Sequence, residues 1–559
     1  MRQLFLVWSI VFVLVAGLLV VRAGDSERRE EEREKEKEEE AKVNVKEEEA
    51  KVNVKEEEKG KEKEDEKVEE KKEEEGQNNK DKEQDNTIES TIRPYIFKSS
   101  NYTAADVVDK DPVELIKLRG FEAELHYATT PDGYKLHLVR VVHPLIRAAR
   151  LPLKRPIIFN HGFLECSTIW LVNAQNVRPT LERANYCSEL NIDEAWLNAR
   201  NDSINGPFLL ANQGYDVWLM SMRGTDYSQG HTSLSPKEAK FWDFSLDDFA
   251  LGDVPTVIEF VLDRTGAPKV AYAGHSQATF AIFGLLATRP KFNQLVEPIF
   301  AVAPVAYMHH ITSVARPLFV SSLAVKPKHG PFPKESSKWR KGIGKVCMGK
   351  LGAKFACQLI DGLIGGRGLG AKPGQFSHLP FSSSLKVVRH FGQLVTKRQM
   401  TRHDHGKEEN LRRYGSEKAP LYEIGKITSP SLCLFATKTD SLSDPADVRL
   451  FKRQLKVPLM RDVFIEEKLN HFDMLRHSRA RHWVFGPMLE LLEQVERVGG
   501  DACRKPSGKS YAGANEGSEL EEEEQEDEQQ QQQQEEEEEE NDGRAAEDLQ
   551  EESHYLEEN

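Results

Sequence analysis

Val270-Ala-Tyr-Ala-Gly-His-Ser-Gln-Ala278 is the segment that says most about the architecture of this chain. A short apolar run ends at Gly274, and an apolar stretch typical of a helix begins just after the serine at position 276. This order predicts a strand, a sharp turn and a helix, with Ser276 at the apex of the turn. Such a turn holds the serine hydroxyl clear of the sheet in a strained backbone conformation.

The residues two positions before and after Ser276 have to be small, because strand and helix almost touch there. Gly274 meets this requirement fully, whereas Ala278 adds one methyl group where the usual motif has a second glycine. The segment therefore matches Gly-x-Ser-x-Gly in its first glycine and its serine but not in its last position. Because this near match is not specific alone, partners for the serine have to be sought elsewhere in the chain.

Short apolar runs on both sides of this segment alternate with helical stretches such as 246–262. The strands that these runs predict are 134–142, 156–160, 215–219, 270–273, 299–303, 431–436 and 463–465. The first alternates in hydropathy, as an antiparallel strand does, and the others are buried runs. Buried runs separated by helices predict an α/β fold with a mostly parallel sheet covered by helices on both faces. Ligands of such sheets bind at the carboxyl ends of the strands, where Ser276 is placed.

A serine hydroxyl is a weak nucleophile until a base takes its proton, and an acid has to orient that base. In folds with this turn, the acid and then the histidine follow the serine along the chain. Asp440 and His471 each come directly after one of the last two predicted strands. We therefore predict Ser276 as nucleophile, Asp440 as orienting acid and His471 as general base and acid. Asp444 is an alternative acid, although its place before Pro445 also suits a helix cap.

A tetrahedral intermediate also needs backbone N–H donors for its oxyanion. One donor is predicted to be the N–H of Gln277, directly after the nucleophile, and the other the N–H of Phe163, after the strand at 156–160. His161 is expected to shape that loop, and His275 to pack or hydrogen-bond beside the turn. This chemistry uses no cofactor, and no Cys-x-x-Cys or Cys/His spacing indicates a metal site.

The first residues of the chain are predicted to be a targeting segment rather than part of the core. Residues 4–21 form an apolar run preceded by Arg2, and Ala23 ends a stretch that resembles a cleavage site. This pattern predicts a signal peptide over 1–23, with an uncleaved signal anchor as the alternative because the run is nearly long enough to span a bilayer. Either reading places the chain in the secretory pathway, as a secreted, lysosomal or membrane-anchored protein.

Charge is spread very unevenly along the 559 residues, whose formal net charge is −15. Residues 24–92 are rich in Glu and Lys, and 501–559 are rich in Glu and Gln, so both segments are predicted to be disordered. Such an acidic tail argues against nucleic acid as a partner, and no obligate protein partner is inferred. The ordered part is predicted at 93–500, with an inserted helical cap at about 305–425, since that stretch is too long for a loop.

Six cysteines are present, and some of them should pair in an oxidising compartment. Cys347 and Cys357 are favoured because they are close in sequence. Asn101 and Asn201 each begin an Asn-x-Ser/Thr tripeptide and are therefore candidate glycosylation sites.

Together these segments resemble the acid lipase family of α/β-hydrolases, the group of lysosomal acid lipase and gastric lipase. The resemblance runs from about 111 to 497. It is carried by 131–134, 160–163, 214–218 with 223–224, 241–245 with 253–255, 274–277, 303–306, 440–445 and 470–473. It implies the α/β-hydrolase fold and the same five residues in the roles given above. The family's cap disulfide matches Cys347 and Cys357, with a spacing one residue longer.

The resemblance also implies an activity: hydrolysis of neutral lipid esters, such as triacylglycerols or cholesteryl esters, at a lipid–water interface through an acyl-enzyme. The sequence departs from the family pattern in three single residues and one insertion. Ala278 replaces the usual glycine, Asn160 the usual Gln and Phe163 the usual Leu. The insertion lies at about 174–200 and contains Cys187. Three alternatives stay open. The first is a carboxylesterase for smaller esters, and the second is a weak or inactive lipase-like protein that binds or stores lipid, its serine turn disturbed by Ala278. The third is an acidic scaffold built around the charged tails.

Overall fold

The computed structural model describes residues 104–173, 177–180, 204–324, 329–347, 357–358, 361, 364–366 and 373–498. Several predictions fall outside these ranges. They are the signal peptide at 1–23, the charged segments at 24–92 and 501–559, the sequons at Asn101 and Asn201, and most of the insertion at 174–200 with Cys187.

A single large sheet organises the described residues. Its strands are β1 (Glu122–Thr129), β2 (Tyr134–Val142), β3 (Lys154–Asn160), β4 (Tyr215–Met220), β5 (Gly230–His231), β6 (Val270–His275), β7 (Val296–Val302), β10 (Leu432–Thr437) and β11 (Arg461–Ile465), while β8 (Pro331–Phe332) and β9 (Ser383–Ser384) form a separate antiparallel pair. The main order is β1-β2-β4-β3-β6-β7-β10-β11, with β5 beside β2. All neighbours from β4 to β11 are parallel, and β1, β2 and β5 are antiparallel additions.

This sheet confirms the predicted α/β class, and each predicted strand is present within a few residues of its expected bounds. β1 was not predicted. Its residues 122–129 mix Glu and His with apolar side chains, and it lies at the sheet edge where part of each face is exposed. An edge strand needs less apolar surface than a central one, so its hydrophobic signal is weak.

The central strands bury side chains on both faces. Along β6, Val270 and Tyr272 pack into one apolar cluster, whereas Ala271 and Ala273 pack into the cluster on the other face. This alternation explains why the strand reads as a continuous apolar run rather than as an alternating one. The two clusters hold the sheet between layers of helices, which fixes where its carboxyl edge lies.

Helices cover the sheet and fill the connections. They are α1 (Pro112–Lys117), α2 (Pro144–Ala148), α3 (Gly206–Asn212), α4 (Leu246–Asp248), α5 (Val254–Thr265), α6 (Gln277–Thr288), α7 (Phe292–Leu295), α8 (Ala315–Ser322), α9 (Ser336–Cys347), α10 (Leu385–Lys397), α11 (Lys407–Tyr414), α12 (Pro445–Gln454), α13 (Asp473–Arg476) and α14 (Gly486–Val498). In these ranges no helix is long and apolar enough to cross a membrane.

The amphipathic stretch predicted at 246–262 is not one continuous helix. A π-helical turn at Phe249–Asp253 separates α4 from α5. Pro255 is the second residue of α5, and its ring nitrogen has no hydrogen to donate to the preceding turn. The regular hydrogen-bond ladder is therefore interrupted at this point, which hydrophobic spacing alone does not reveal.

The segment between β7 and β10 contains the helices α8 to α11 and the β8–β9 pair. It covers the stretch at 305–425 that was predicted as an inserted helical cap. Helix α10 buries Val387, Phe391 and Leu394 in the same apolar cluster as Phe280 of α6. The insertion thus packs directly on the helix that follows the serine turn.

Candidate active site

The serine turn is strained, and neighbouring groups hold it. Ser276 lies between β6 and α6 with φ 54° and ψ −116°, a region that side-chain-bearing residues rarely adopt. Its N–H donates to the carbonyl of Val302 over 2.9 Å, and its carbonyl accepts from the N–H and the hydroxyl of Thr279 over 2.8 and 2.6 Å. These bonds offset the strain and keep the hydroxyl at the edge of the sheet.

The methyl group of Ala278 fits into the crossing of strand and helix. A Cβ placed on Gly274 would lie 3.2 Å from the Cβ of Ala278 and 2.8 Å from the ring of Tyr272. Because Gly274 has no side chain, that space is open, and Ala278 is fully buried in it. The hydroxyl of Tyr272 donates to the Ala278 carbonyl over 3.0 Å. The missing second glycine of the motif is therefore compatible with a well-formed turn.

His471 and Asp440, two of the predicted site residues, lie beside the serine. The Nε2 atom of His471 is 2.7 Å from Ser276 Oγ, and its Nδ1 atom is 2.8 and 3.0 Å from the two carboxylate oxygens of Asp440. Asp440 and His471 are buried, and Ser276 is 9% exposed. The structure thus brings together a hydroxyl, an imidazole and a carboxylate in the order that nucleophilic catalysis requires.

The rival acid has a different position. Asp444 is the N-cap of α12, where its carboxylate accepts the N–H of Ala446 over 2.8 Å. Asp440 instead accepts the N–H groups of Leu442 and Ser443 over 2.9 and 2.8 Å, in addition to its contact with His471. Two backbone donors fix the orientation of the Asp440 carboxylate, so this carboxylate is the one placed to orient the imidazole.

Two unpaired backbone donors lie near the serine. Among the described residues, neither the N–H of Phe163 nor that of Gln277 has a hydrogen-bond acceptor. Gln277 begins α6, where the first N–H groups have no partner within the helix. A Cβ on Gly162 would lie 3.0 Å from the Cβ of Ser276, so the loop that carries Phe163 approaches the nucleophile closely. Within the described ranges both predicted oxyanion donors thus lack an acceptor, and each belongs to a segment next to the serine.

His161 supports this loop as a neutral side chain. Its Nδ1 atom is 2.9 Å from the carbonyl of Gly162, to which it donates, and its Nε2 atom accepts the N–H of Met222 over 2.9 Å. Burial lowers the pKa of His161 to about 4. The prediction that His161 shapes its loop therefore agrees with its contacts.

A second buried acid–histidine pair lies next to the first, and its acid was missed by the sequence reasoning. The Oε2 atom of Glu165 lies 2.9 Å from His275 Nδ1, and it accepts the N–H of Gly162 over 2.6 Å. The Nε2 atom of His275 lies 3.0 Å from the carbonyl oxygen of His471. The available signal was an acidic residue two positions after Phe163, in an otherwise uncharged stretch.

The insertion between β7 and β10 reaches the loops of the site. The carbonyl of Gly365 accepts the N–H groups of Ser441 and His471 over 3.2 and 3.0 Å. Gly366 forms a bridge with Asp440 at φ 103°, and a Cβ there would lie only 2.2 Å from the carbonyl oxygen of Thr439. Glycine is required at this close approach. The loops that carry Asp440 and His471 are therefore partly held by the insertion itself.

Aromatic side chains gather at the oxyanion loop. The ring of Phe163 lies 5.2 Å from Phe391, 6.0 Å from Phe319 and 6.4 Å from Phe332, between ring centroids. The three partners belong to α10, α8 and β8 of the insertion. Apolar side chains thus surround Phe163, which follows Gly162 in the loop that approaches Ser276.

Other site predictions concern cysteines and metals. Cys347 and Cys357 form a disulfide with a Cα–Cα distance of 5.9 Å, whereas Cys166 and Cys433 are free and buried. In the part of the chain that the structure describes, no group of three or more His, Cys, Asp or Glu side chains is arranged to hold a metal ion.

Comparisons with known proteins agree with this geometry. A model of the partial α/β-hydrolase lipase region matches residues 112–174, and one of the α/β hydrolase fold matches 155–321. Lipase 1 of Drosophila melanogaster is 28% identical over 421 residues, which cover 74% of this chain and 84% of that protein. Lipase lipl-1 of Caenorhabditis elegans is 29% identical, and the match covers 70% of this chain and 95% of that protein. Gastric triacylglycerol lipase of Bos taurus is 27% identical, and the match covers 69% of this chain and 91% of that protein.

The fold and these matches define a serine ester hydrolase of the α/β-hydrolase fold. More narrowly, the chain is similar to lipases of the gastric and acid lipase type, because the matches cover 84%, 95% and 91% of the three relatives.

Proposed function

We propose that this protein is a lipase that hydrolyses neutral lipid esters, such as triacylglycerols or cholesteryl esters, with Ser276 as nucleophile. The observation that carries the proposal is the pair of contacts of His471, at 2.7 Å to Ser276 Oγ and 2.8 Å to the nearer carboxylate oxygen of Asp440. This geometry lets one imidazole take the hydroxyl proton while the carboxylate holds the ring in the required tautomer.

The reaction proceeds in two balanced halves. The Ser276 oxygen attacks the ester carbonyl carbon while its proton moves to Nε2 of His471, and the carbonyl oxygen becomes an oxyanion that the N–H groups of Phe163 and Gln277 stabilise. His471 then gives the proton to the departing alcohol, which leaves an acyl-Ser276. A water molecule repeats these steps, with His471 as base, and releases the fatty acid.

An apolar acyl group suits the surroundings of this oxyanion loop. Four phenylalanines, at positions 163, 319, 332 and 391, meet beside the predicted oxyanion donor. Burial of apolar surface stabilises a bound acyl chain by about 25 cal/mol per Å². The relatives named lipase or triacylglycerol lipase support the same substrate class, and a lipid–water interface is where such substrates are met.

We further propose that the protein acts in the secretory pathway, as a secreted or lysosomal enzyme. The apolar run at 4–21 supports this proposal, and so does the disulfide between Cys347 and Cys357, because disulfides persist in oxidising compartments. Retention of the full chain after alkaline extraction of the membranes that carry it would instead support an anchoring N-terminal segment.

Labelling with a fluorophosphonate probe tests the nucleophile. The wild type should be labelled and should hydrolyse an emulsified triacylglycerol, and Ser276→Ala should do neither although it melts like the wild type. Measuring at acidic and at neutral pH also shows in which range the enzyme works. A folded wild type that takes no label would contradict the proposal and favour a lipid-binding protein without turnover.

Esters of one alcohol with increasing acyl length test the substrate class. A lipase with the apolar surroundings described above should gain kcat/KM from short to long acyl chains. A preference for the shortest chains would assign the protein to the carboxylesterases of small esters instead.

A further inference from the structure

Glu165 and His275 form a buried pair that the reaction steps above do not use. Their side chains are 1% and 0% exposed. The carboxylate contacts Gly162 of the oxyanion loop through Oε2, at 2.6 Å from the backbone nitrogen. The imidazole contacts the backbone of His471, at 3.0 Å from its carbonyl oxygen. The pair therefore touches both halves of the site, the loop that carries the oxyanion donor and the loop that carries the base.

The contacts of His275 favour a ring that is protonated on both nitrogens. Its Nε2 atom faces a backbone carbonyl oxygen, which can only accept a hydrogen bond, and its Nδ1 atom faces an oxygen of Glu165, which only accepts when the carboxyl group is ionised. An imidazole can donate from both nitrogens only as the imidazolium cation. Glu165 then has to be ionised, because it is the acceptor and the counter-charge of this cation.

The pKa shifts of the two groups both favour their charged forms. Burial acts to lower the pKa of His275, but the charge of Glu165 and the hydrogen bond to it outweigh burial and raise that pKa. Burial acts to raise the pKa of Glu165, but the charge and hydrogen bond of His275 and the Gly162 N–H lower it. The charged state of the pair is therefore favoured on both sides.

We propose that Glu165 and His275 are positioning residues of the esterase reaction: a charged clamp that ties the oxyanion loop at Gly162 to the backbone of the catalytic His471. The inference rests on the function proposed above. Without charge, His275 keeps one N–H and has to release either Glu165 or His471. Release frees one loop relative to the other, and a displacement of about 1 Å at a catalytic group can lower a rate by about 10²-fold.

Other titratable groups also act on His275 and bear on its pH dependence. Asp440 raises its pKa together with Glu165. His161, which interacts with His275 through charge, has a pKa lowered by burial to about 4 and is neutral. The ring of His471 lies 4.9 Å from that of His275, between centroids. When His471 takes up a proton during catalysis, the neighbouring Glu165–His275 pair therefore has no net charge to repel or attract it.

The test replaces Glu165 by an amide of the same shape. Glu165→Gln should lower kcat for a soluble ester by about 10- to 100-fold and leave KM within about threefold, because neither residue contacts the substrate. The fall of kcat at alkaline pH should begin at lower pH than in the wild type, since burial then acts on His275 without its counter-charge. Glu165→Gln/His275→Gln should lose no more than the worse single variant, because both remove one interaction.

His143→Gln is the matched control. This histidine is also buried, contacts the carbonyl of Thr180 over 3.0 Å, and follows β2 at the sheet edge opposite the serine turn. Its variant should keep the kcat and the pH profile of the wild type. If Glu165→Gln does not yield folded protein, His275→Gln takes its place and should show the same loss of kcat at an unchanged KM, because its amide cannot reach both acceptors at once.

The outcomes separate this inference from the proposed function. An active wild type together with a folded Glu165→Gln of unchanged kcat and pH profile overturns the clamp and leaves the hydrolase intact. A loss of kcat that is additive in the double variant, with an unmoved pH profile, also overturns it. A folded wild type that does not hydrolyse esters overturns the proposed function, and the clamp with it.

Discussion

Two buried acid–histidine pairs lie side by side in this protein, and they differ in what the second ring nitrogen meets. Nε2 of His471 meets the Ser276 hydroxyl, which can donate or accept a hydrogen bond. Nε2 of His275 meets a carbonyl oxygen, which can only accept. The first arrangement lets a proton move and the second holds a proton in place.

The acids of the two pairs are also supported differently. Asp440 accepts two backbone N–H groups besides its histidine, whereas Glu165 accepts one, and its Oε1 atom has no hydrogen-bond partner among the described residues. A buried carboxylate with few donors depends strongly on its counter-charge. We therefore expect the same pairing of residue types to serve proton transfer at Asp440–His471 and to hold a fixed charge at Glu165–His275.

The largest expected effect is the loss of Asp440. Asp440→Asn should lower kcat by about 10⁴-fold, because the amide no longer selects the tautomer in which His471 can accept the serine proton. This loss should exceed that of Glu165→Gln by at least about tenfold, since only the first pair transfers a proton. Steady-state hydrolysis of a soluble ester measures both.

Asp444→Asn is the control for that comparison, because the same amide replaces an acid only four residues away. Asn caps a helix about as well as Asp, so α12 should keep its N-cap and kcat should stay within about twofold. A large loss in Asp444→Asn with an active Asp440→Asn would show that the acid has been assigned wrongly.

An intermediate effect is expected in how the stabilising contribution of His275 changes with pH. The pKa of His275 is raised above its ordinary value of 6.5, so its stabilising contribution is complete below that pH and is lost as the pH rises through the raised value. The free energy of unfolding of the wild type should therefore exceed that of His275→Gln most at mildly acidic pH. Denaturant unfolding at a series of pH values, kept above the ordinary Glu value of 4.5, measures this difference.

His143 should show the opposite sign. Burial lowers its pKa from 6.5 to about 4, so its contribution is largest above 6.5 and falls as the pH falls toward 4. The contribution of His143 to the free energy of unfolding changes by at most about 3 kcal/mol over this pH range. The advantage of the wild type over His143→Gln should thus shrink on acidification, while that over His275→Gln does not. Two parallel curves would contradict the assignment of a fixed positive charge to His275.

The sequence predicts the first pair well and the second only in part, for a physical reason. Ser276, Asp440 and His471 each follow a predicted strand, and parallel strands bring their carboxyl ends to one edge, so their proximity follows from local patterns. Glu165 lies 110 residues from His275 and follows no pattern that periodicity or motif spacing records. Its role depends on how closely two loops approach, which only the packed structure reveals.

The same limit applies to the fold. Central strands were predicted because burial on both faces leaves a continuous apolar run. The edge strand β1 and the π-helical turn at Phe249–Asp253 were not, since the first carries exposed polar side chains and the second depends on a missing N–H. Likewise, the approach of Gly366 to Thr439 is set by an insertion whose course the sequence pattern does not specify.

The smallest expected effect concerns the serine turn that both pairs serve. Ala278→Gly restores the usual motif and should change kcat by no more than about threefold, because the methyl group already fits against Gly274. Stability should fall by about 1 kcal/mol, the cost of glycine in a helix.

Ala281→Gly, at another buried position of α6, is the control for this helix effect and should lose stability by a similar amount without a change in rate. Soluble-ester kinetics and thermal melts of the two variants make the comparison. A rise in kcat of about tenfold in Ala278→Gly alone would mean that the methyl group tilts Ser276 away from His471. The turn, rather than the two acid–histidine pairs, would then limit the rate.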